Sequence, residues 1–196
     1  MGIVFFDVSM SLDGFIAGPN DGPGNGLGDG GSVLHEWIWS GKDPTGKKMV
    51  YEAMKTLGAV VMGRRTFNII DGPNGWVAPD GTAFALPVFV PTHEAKDTVT
   101  KGKTKFTFVT DGVESAIKEA QKVAGDKNIS VMGANTFQQC IKTGLLDEMQ
   151  IHLVPVLLGG GVRLFDNLGS EHIELKKTSV VESVNVTHLK FRIIKN

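Results

Sequence analysis

The sequence predicts an α/β fold in which helices flank a mixed sheet of about eight strands, mostly parallel with an antiparallel C-terminal edge. Short apolar runs rich in β-branched residues alternate with segments of helical periodicity up to residue 144, a pattern typical of parallel sheets. Beyond residue 147 long strand-like runs follow one another without an intervening helix, which favours antiparallel pairing. No linker interrupts the 196 residues, so we expect one domain over residues 1–196.

Eight segments have the apolar, β-branched composition of strands. They are residues 3–9, 59–62, 87–91, 106–110, 129–132, 148–158, 172–181 and 185–194. The last two are expected to form a hairpin around Glu182 and Ser183.

Five segments have helical periodicity. They are residues 34–39, 47–57, 65–70, 113–124 and 135–142. Val50, Met54 and Leu57 are expected to share one face of the second helix. Asp111, three residues before Glu114, indicates a capping box at the start of the fourth. Gly144 is a natural stop after the fifth.

Glycine is over-represented and unevenly placed. The chain has 25 glycines in 196 residues, about 13% against an average near 7%. Eight lie between Gly14 and Gly31, and three form the run 159–161. Residues 18–32 cannot hold regular structure at this composition. Loops of such length in a compact domain are usually functional or disordered.

Charge and cysteine content exclude several classes of protein. Twenty Lys and Arg against 21 Asp and Glu leave a net charge of −1, without the basic excess of a nucleic-acid binder. The lone Cys140 excludes an internal disulfide and a multi-cysteine metal cluster. The histidines have no metal-ligand spacing, so we expect no metal site. With no signal peptide or 18-residue apolar run, we expect a cytoplasmic protein without a membrane partner.

One short pattern occurs twice, at residues 61–67 (VMGRRTF) and 131–137 (VMGANTF). Each copy reads as a buried strand, a glycine and the start of a helix. Glycine allows a ligand to approach the backbone, and the first N–H groups of a helix lack partners, so such a turn binds anions. Arg64 and Arg65 add cations suited to a further phosphate, such as the 2′-phosphate of NADP. Such turns also occur in α/β proteins without a ligand, but the pair together favours a pyrophosphate-containing cofactor.

Five motifs in order carry a resemblance to a known family. They are residues 11–17 (SLDGFIA), 62–67 (MGRRTF), 108–112 (FVTDG), 144–148 (GLLDE) and 155–165 (PVLLGGGVRLF). This chain resembles the dihydrofolate-reductase-like superfamily over nearly its whole length. More narrowly, it is similar to the reductase domain of the bifunctional riboflavin-biosynthesis deaminase–reductase and its stand-alone relatives, which reduce 5-amino-6-(5-phosphoribosylamino)uracil.

The resemblance implies a three-layer sandwich with NADPH lying across the strand ends, and it implies a set of cofactor-binding residues. Those matching the adenosine-side phosphate turn are Gly63, Arg64, Arg65 and Thr66. Those near the adenine ribose and its 2′-phosphate are Thr92 and His93. Those at the pyrophosphate are Gly133, Ala134, Asn135 and Thr136. Ile16 and Ala17 match the stretch beside the nicotinamide, and Thr110 and Asp111 belong to a further matching turn.

The proton donor is open among three acids. Reduction of a C=N or C=O bond by hydride needs a proton source near the reacting atoms. Glu36 lies where dihydrofolate reductases carry an acid on their first helix. Asp7 lies inside an apolar strand, where a carboxylate needs a partner. Asp13 precedes a glycine in a turn and is better explained by turn hydrogen bonding. We take Glu36 and Asp7 as the catalytic candidates. For His152, in mid-strand, a satisfied sheet histidine is the favoured interpretation.

The sequence therefore predicts a cytoplasmic NADPH-dependent reductase that acts on a small planar heterocycle such as a pterin or pyrimidine. The alternative is a nucleotide-binding or sensor protein that retains the cofactor cleft without turnover. We expect a homodimer built on the apolar strand at residues 151–158, and a glycine-rich loop at 18–31 that is mobile without cofactor. Trp37, Trp39 and Trp76 are expected either to line a flat substrate pocket or to pack in the core.

Overall fold

The computed structural model describes residues 2–71, 76, 77 and 83–195. This part of the chain contains eleven strands and five α-helices. The strands are β1 (Val4–Ser11), β2 (Phe15–Ala17), β3 (Leu57–Met62), β4 (Val88–Pro91), β5 (Val99–Lys101), β6 (Thr104–Val109), β7 (Asn128–Met132), β8 (Glu148–Val154), β9 (Val162–Arg163), β10 (Leu175–Ser183) and β11 (Val186–Ile193). The helices are α1 (Glu36–Trp39), α2 (Pro44–Lys55), α3 (Arg64–Ile70), α4 (Gly112–Ala124) and α5 (Ala134–Lys142), and a 3₁₀ turn at Gly31–His35 precedes α1.

Nine of these strands form one mixed sheet in the order β10-β11-β8-β1-β7-β3-β4-β6-β5. The six strands from β8 to β6 in that order are parallel, so all their carboxyl ends lie at one edge. Antiparallel strands complete both sides, with β11 and β10 on one and β5 on the other. The short strands β2 and β9 pair separately.

The sheet separates two apolar layers because neighbouring residues of a strand point to opposite faces. In β3, Ala59 and Val61 pack with α4 and α5, whereas Val60 and Met62 pack with Phe67 of α3. A third apolar cluster on residues Leu34, Trp37, Val154 and Val186 joins the 3₁₀ turn and α1 to β11. The result is helix, sheet and helix in three layers.

The predicted fold class is confirmed, including the parallel centre and the antiparallel C-terminal edge. Each of the eight predicted strands corresponds to a strand of the main sheet, with ends displaced by a few residues. The ninth strand, β5, has only three residues, too few to show a period of two. The hairpin turn lies at Val184 and Asn185, two residues after its expected position, and Asn185 has a left-handed φ of 58°.

Two local predictions about helices are wrong. Leu57 begins β3 rather than ending a helix, and Met54 is exposed, so α2 does not present the predicted apolar face. Asp111 occupies the N-cap position of α4, but its side chain makes no capping hydrogen bond. The helix is instead held by Val113, Ile117 and other apolar side chains that it buries against the sheet.

Three further features bear on the expectations from sequence. Strand β8 lies between β1 and β11, and Ile151 is in the core, so β8 offers no free edge to a second copy, and the homodimer stays a prediction. Cys140 is buried, and burial raises the pKa of its thiol to about 12. Among the described residues no helix has the length and apolar character needed to cross a membrane.

The larger apolar layer predicts the cost of one core substitution. Phe137 is fully buried and its ring centroid lies 4.4 Å from that of Phe6. We expect Phe137→Ala to lower the free energy of unfolding by about 3–5 kcal/mol, because it removes buried apolar surface and leaves a cavity. Urea unfolding measures this. Phe165→Ala is the control, because Phe165 is 44% exposed and its ring lies 6.0 Å from Phe137. Equal losses for the two variants would contradict the assignment of Phe137 to the core.

Candidate functional site

A cleft of about 1350 Å³ runs along the carboxyl ends of the parallel strands. It is lined by residues of β1, by the turns after β7, β3, β4 and β6, and by the glycine-rich loop. Four steps between neighbouring strands separate β1 from β6, which is about 19 Å at the usual spacing of about 4.8 Å. Ligands of open α/β sheets bind outside these strand ends. A smaller cavity of about 560 Å³ near β5 contains the ion pair of Lys101 with Asp71, whose charges offset each other.

The two copies of the repeated pattern lie side by side in this cleft. Strands β3 and β7 pair in register, so that Met62 is opposite Met132 and the following glycines are neighbours. The N–H of Gly63 donates to the carbonyl of Met132 at 3.1 Å. Each glycine is the N-cap residue of the next helix, α3 or α5. No cap side chain therefore competes for the first N–H groups of either helix.

Each glycine of the pair is packed against the threonine of the other turn. A Cβ at Gly63 would lie 2.6 Å from Oγ1 of Thr136, and a Cβ at Gly133 would lie 2.6 Å from Oγ1 of Thr66. Gly133 also has a φ of 91° and a ψ of 141°, a conformation open almost only to glycine. The packing of the two turns therefore favours glycine at both positions, independently of any ligand.

The two arginines of the first turn have different surroundings. Arg64 donates from Nε to Oδ1 of Asn68 at 3.0 Å and from Nη1 to Oγ1 of Thr92 at 3.4 Å, and its guanidinium lies over Phe67 and Phe108. Arg65 forms an ion pair with Asp21 of the glycine-rich loop. The hydrogen bond from Arg65 to the side chain of Asp21, followed by the charge of that carboxylate, raises the pKa of Arg65 above its ordinary value.

The glycine-rich loop has its own hydrogen bonds. The N–H of Gly18 donates to Leu27 at 2.8 Å and that of Asp29 to Pro19 at 2.7 Å. The Asp29 carboxylate also accepts from the side-chain amides of Asn20 and Asn25. A Cβ at Gly18 would lie 2.0 Å from the carbonyl oxygen of Asp29, so glycine is needed for this close approach of backbones. The structure thus shows an internally bonded loop joined to α3 by Asp21 and Arg65.

Asp13 connects the turn after β1 to the later glycine run. Its carboxylate accepts from the Ser11 hydroxyl at 2.6 Å, from the N–H of Leu158 at 3.1 Å and from the N–H of Gly159 at 2.8 Å. The Ser11 hydrogen bond is the largest of the effects that lower the pKa of Asp13 to about 2. Burial opposes it, and the backbone bonds add to it. The carboxylate therefore stays ionised and holds this loop in place.

At the other end of the cleft, Asp7 contacts a buried histidine pair. Its Oδ1 lies 2.6 Å from Nε2 of His152, while its Oδ2 accepts from Gln150 at 3.4 Å. Nδ1 of His152 lies 2.6 Å from Nδ1 of His188, which is directly opposite it in the β8–β11 ladder. The side chain of Asp7 is 21% exposed and lines the cleft, whereas that of His152 is 2% exposed. His152 is therefore a satisfied sheet histidine, and it also contacts a candidate catalytic acid.

His35 is a cleft residue that the sequence interpretation missed. It lines the cleft beside Trp39, on which its ring stacks with centroids 5.2 Å apart. Burial, followed by the charge of His152, lowers the pKa of His35 to about 4, so the imidazole is neutral at pH 7. Its Nδ1 is buried without a hydrogen-bond partner. The sequence carries a signal for His35, because it is adjacent to Glu36 in the segment that is predicted to hold a catalytic acid.

The structure brings most of the predicted site residues into this one cleft. Those that line it are Asp7, Ile16, Ala17, Gly63, Arg64, Arg65, Thr66, Thr92, His93, Thr110, Gly133, Ala134, Asn135 and Thr136. Two do not: Glu36 is exposed on α1 outside the cleft, and Asp111 is exposed at the start of α4. Trp39 and Trp76 also line the cleft, whereas Trp37 is buried and does not line it. Among the described residues no cluster of histidine, cysteine or acidic side chains has the arrangement of a metal site.

The family assignment follows from sequence and structure together. A profile of the RibD C-terminal domain matches residues 3–189, nearly the whole chain. The chain belongs to the RibD C-terminal domain family. No curated protein matches it by sequence.

Solved structures agree with the fold of the RibD C-terminal domain. A riboflavin biosynthesis protein from Shewanella sp. PV-4 is 24% identical, with a TM-score of 0.68 over 98% of this chain and 99% of that one. The riboflavin biosynthesis reductase Rib7 of Saccharomyces cerevisia is 13% identical, with a TM-score of 0.63 over 98% and 90%. A dihydrofolate reductase from Enterococcus faecalis complexed with NADP(H) is 12% identical, with a TM-score of 0.58 over 99% and 98%. The predicted dihydrofolate-reductase-like fold is thereby confirmed.

The packing of the paired turns predicts a specific pattern of stability. We expect Gly133→Ala to lower the free energy of unfolding by about 1–3 kcal/mol from its positive φ, plus a further loss from the clash with Thr66. Gly112→Ala is the matched control, since Gly112 has a φ of 87° and no atom within 4 Å of an added Cβ. Urea unfolding of Gly133→Ala, Gly112→Ala and the Gly133→Ala/Thr66→Ala double variant separates strain from clash. The clash is refuted if removal of Thr66 Oγ1 recovers no stability.

Proposed function

We propose that this protein is an NADPH-dependent reductase that transfers hydride to a small planar heterocycle of the pyrimidine or pterin class. One observation carries the proposal. A single cleft in a RibD C-terminal domain contains two strand–glycine–helix turns, an arginine beside Thr92 and, in β1, a carboxylate that contacts a histidine pair. Candidate phosphate-binding groups and a candidate proton donor therefore face the same space. The relatives whose names include a reductase or NADP(H) support this interpretation.

The glycine turns fit the pyrophosphate and phosphates of the dinucleotide. Helix α5 has nine residues and begins at Ala134 with a glycine N-cap, so its first N–H groups and its dipole favour an anion. Helix α3 has only seven residues, and its first turn supplies positive charge through Arg64 instead. Ile16 and Ala17, beside β1, are proposed to lie against the nicotinamide. Thr110, which lines the cleft, and Asp111 are proposed to border the adenosine end.

Arg64 is better placed than Arg65 to recognise a 2′-phosphate. Its Nη1 lies near Thr92, next to His93, which fits the adenosine end proposed for the cleft. Arg65 already contacts Asp21, whose carboxylate would repel a phosphate at the same position. A phosphate contact from Arg64 would be charge-assisted and selective for NADPH over NADH.

Asp7 is proposed as the proton donor in preference to Glu36. Bound NADPH supplies the hydride. Asp7 lines the cleft through a partly exposed carboxylate, while Glu36 lies outside it. The neutral His35, with an unpartnered Nδ1, is proposed to accept or donate one hydrogen bond to the heterocycle. Trp39 offers a flat aromatic surface beside it.

Cofactor binding and turnover test the function. We expect titration of NADPH into the purified protein to enhance nicotinamide fluorescence, because the ring enters a cleft walled by apolar side chains. We also expect NADPH oxidation with at least one compound of a panel comprising 7,8-dihydrofolate, 7,8-dihydropterin, 5-amino-6-(5-phosphoribosylamino)uracil and menadione. Absence of binding at millimolar NADPH, with the protein folded by circular dichroism, would refute the proposal. Binding without turnover of any panel compound would favour the nucleotide-binding or sensor alternative.

The cofactor preference gives a sharper test of Arg64. We expect Arg64→Ala to weaken NADPH binding about 10- to 100-fold and NADH binding little, since a hydrogen bond between charged groups is worth about 1.5–3 kcal/mol. Arg65→Ala is the matched control and should affect NADPH less, because Asp21 already neutralises Arg65. Fluorescence titration of both cofactors with each variant measures this. Equal weakening of NADPH and NADH by Arg64→Ala would contradict a 2′-phosphate contact.

A further inference from the structure

A chain of four polar side chains leads from the cleft into the protein interior. Asp7 contacts His152, which contacts His188, and Nε2 of His188 lies 3.6 Å from Oδ2 of Asp43. Asp43 is the N-cap of α2, accepting from the N–H of Gly46 at 2.8 Å, and it also accepts from the Ser183 hydroxyl. Nε2 of His188 and Oδ2 of Asp43 have no hydrogen-bond partner and face each other. The two histidines are thus enclosed between two carboxylates.

The geometry limits the number of protons that the histidine pair can hold. At 2.6 Å the two Nδ1 atoms need one proton between them, because two lone pairs repel each other at that distance. Nε2 of His152 is within hydrogen-bond distance of Asp7 and is favoured as an N–H donor, whereas Nε2 of His188 lies in ion-pair range of Asp43 without a hydrogen bond. Without a proton on Nε2 of His188 the pair is neutral, and with one it carries three protons and a single positive charge. The Asp43 carboxylate, 3.6 Å away, favours the charged form.

The surroundings favour one charge on the pair and oppose a second. Trp37 packs over both rings, with centroid distances of 4.6 Å to His152 and 5.1 Å to His188, and it shields them from water. Burial, followed by the charge of His152, lowers the pKa of His188. Burial raises the pKa of the Asp43 carboxyl, but the hydrogen bonds from Gly46 and Ser183, together with His188, outweigh it and bring the net pKa below the ordinary value.

The titratable groups that face the pair come from three elements around it. Asp7 approaches from β1, Asp43 from the start of α2, and His35 from the 3₁₀ turn, where it is close enough to interact electrostatically with His152. His35 is neutral at pH 7, so the charged neighbours are the two carboxylates. Both stabilise a cation on the pair.

We propose that the His152–His188 pair stores the proton that Asp7 delivers to the reduced substrate, and that Asp43 holds that proton on the pair. Asp7 is the catalytic residue in this scheme, and His152, His188 and Asp43 act through it. The inference rests on the proposed function, because the store is of use only if hydride transfer in the cleft creates a demand for a proton. Carboxyl groups are usually ionised at neutral pH, whereas carboxylates on either side of a histidine pair favour its protonated form.

The transfer balances in protons and charge. As hydride reaches the heterocycle, the substrate gains two electrons and a negative charge at the atom that must be protonated. The proton on Nε2 of His152 moves to Oδ1 of Asp7, and Asp7 passes a proton to that atom. The proton between the rings stays on Nδ1 of His152, so both histidines end neutral and both carboxylates ionised. After product release a proton from water in the open cleft returns through Asp7 to Nε2 of His152.

Asp43→Asn tests the store without touching the cleft. Asparagine is as good an N-cap as aspartate, so the cap of α2 is retained while the negative charge facing His188 is removed. Asp43→Ser, which also retains a capping oxygen, is the second variant should Asp43→Asn not fold. His172→Gln is the control, because His172 is exposed on the surface. Two quantities are measured for each protein: the titration of ring nitrogens by NMR of ¹⁵N-histidine-labelled protein, and the pH dependence of kcat with the panel compound that the wild type reduces fastest.

Loss of the Asp43 charge destabilises the cation, so the pair should release its proton at lower pH. We expect the NMR midpoint of the pair and the alkaline limb of kcat to move down together by about one pH unit, a tenfold loss of proton affinity. Well above the shifted midpoint, kcat of Asp43→Asn should be about tenfold lower than the wild-type kcat at the same pH. At low pH, its kcat and its KM for NADPH should equal those of the wild type. His172→Gln should change neither.

Every other outcome contradicts either the proton store or the proposed function. An unshifted NMR midpoint in Asp43→Asn shows that Asp43 does not hold the proton, and the inference fails. A shifted midpoint with an unmoved kcat profile, or a uniform loss of kcat at all pH values, shows a structural role for the pair and also overturns it. Absence of turnover by the wild type refutes the proposed function, and with it the use of the store, whatever the titration shows.

Discussion

The parallel pairing of β3 with β7 is the constraint on which the cleft depends. Because Val61 and Met62 are opposite Val131 and Met132, the two copies of one sequence pattern end at the same level of the sheet. Their glycines then admit each other's threonines, at Gly63 with Thr136 and Gly133 with Thr66. A shift of one residue would turn every side chain of one strand to the opposite face, and the helices α3 and α5 would no longer begin side by side.

Much of the fold could be predicted from the sequence because its information is local. Apolar β-branched runs such as Val60 and Val61 mark strands, and glycines such as Gly144 mark helix ends. The five ordered motifs predict the arrangement of these elements, because they resemble those of a family with a known fold. The sequence does not predict three-residue strands such as β5, because they are too short to show a period. It predicts a helix at Leu57, although pairing with Asn128 makes this residue part of β3. Tertiary contacts outweigh propensity at such positions.

The candidate site could be predicted only in part because its polar contacts join distant segments. The turns at Gly63 and Gly133 were visible as a repeated pattern. The pairing of His152 with His188 joins residues 36 positions apart and depends on the register of β8 with β11, which no short pattern encodes. Asp43 is still harder to recognise as part of the site, because its role as the N-cap of α2 is enough to explain an aspartate at this position. A useful signal was the presence of polar residues Asp7, His152 and His188 within apolar strands, because buried polar groups need partners.

The ion pair between Arg65 and Asp21 has a consequence for how the cleft responds to its medium. The Arg65 side chain is 70% exposed, so dissolved ions have access to the pair and weaken it as ionic strength rises. The hydrogen bonds inside the loop, such as that from Gly18 to Leu27, are neutral and respond little to salt. Ionic strength therefore acts on the contact between loop and helix rather than on the loop's own shape. Because the loop keeps its internal hydrogen bonds when the ion pair weakens, little conformational entropy is lost when the pair re-forms.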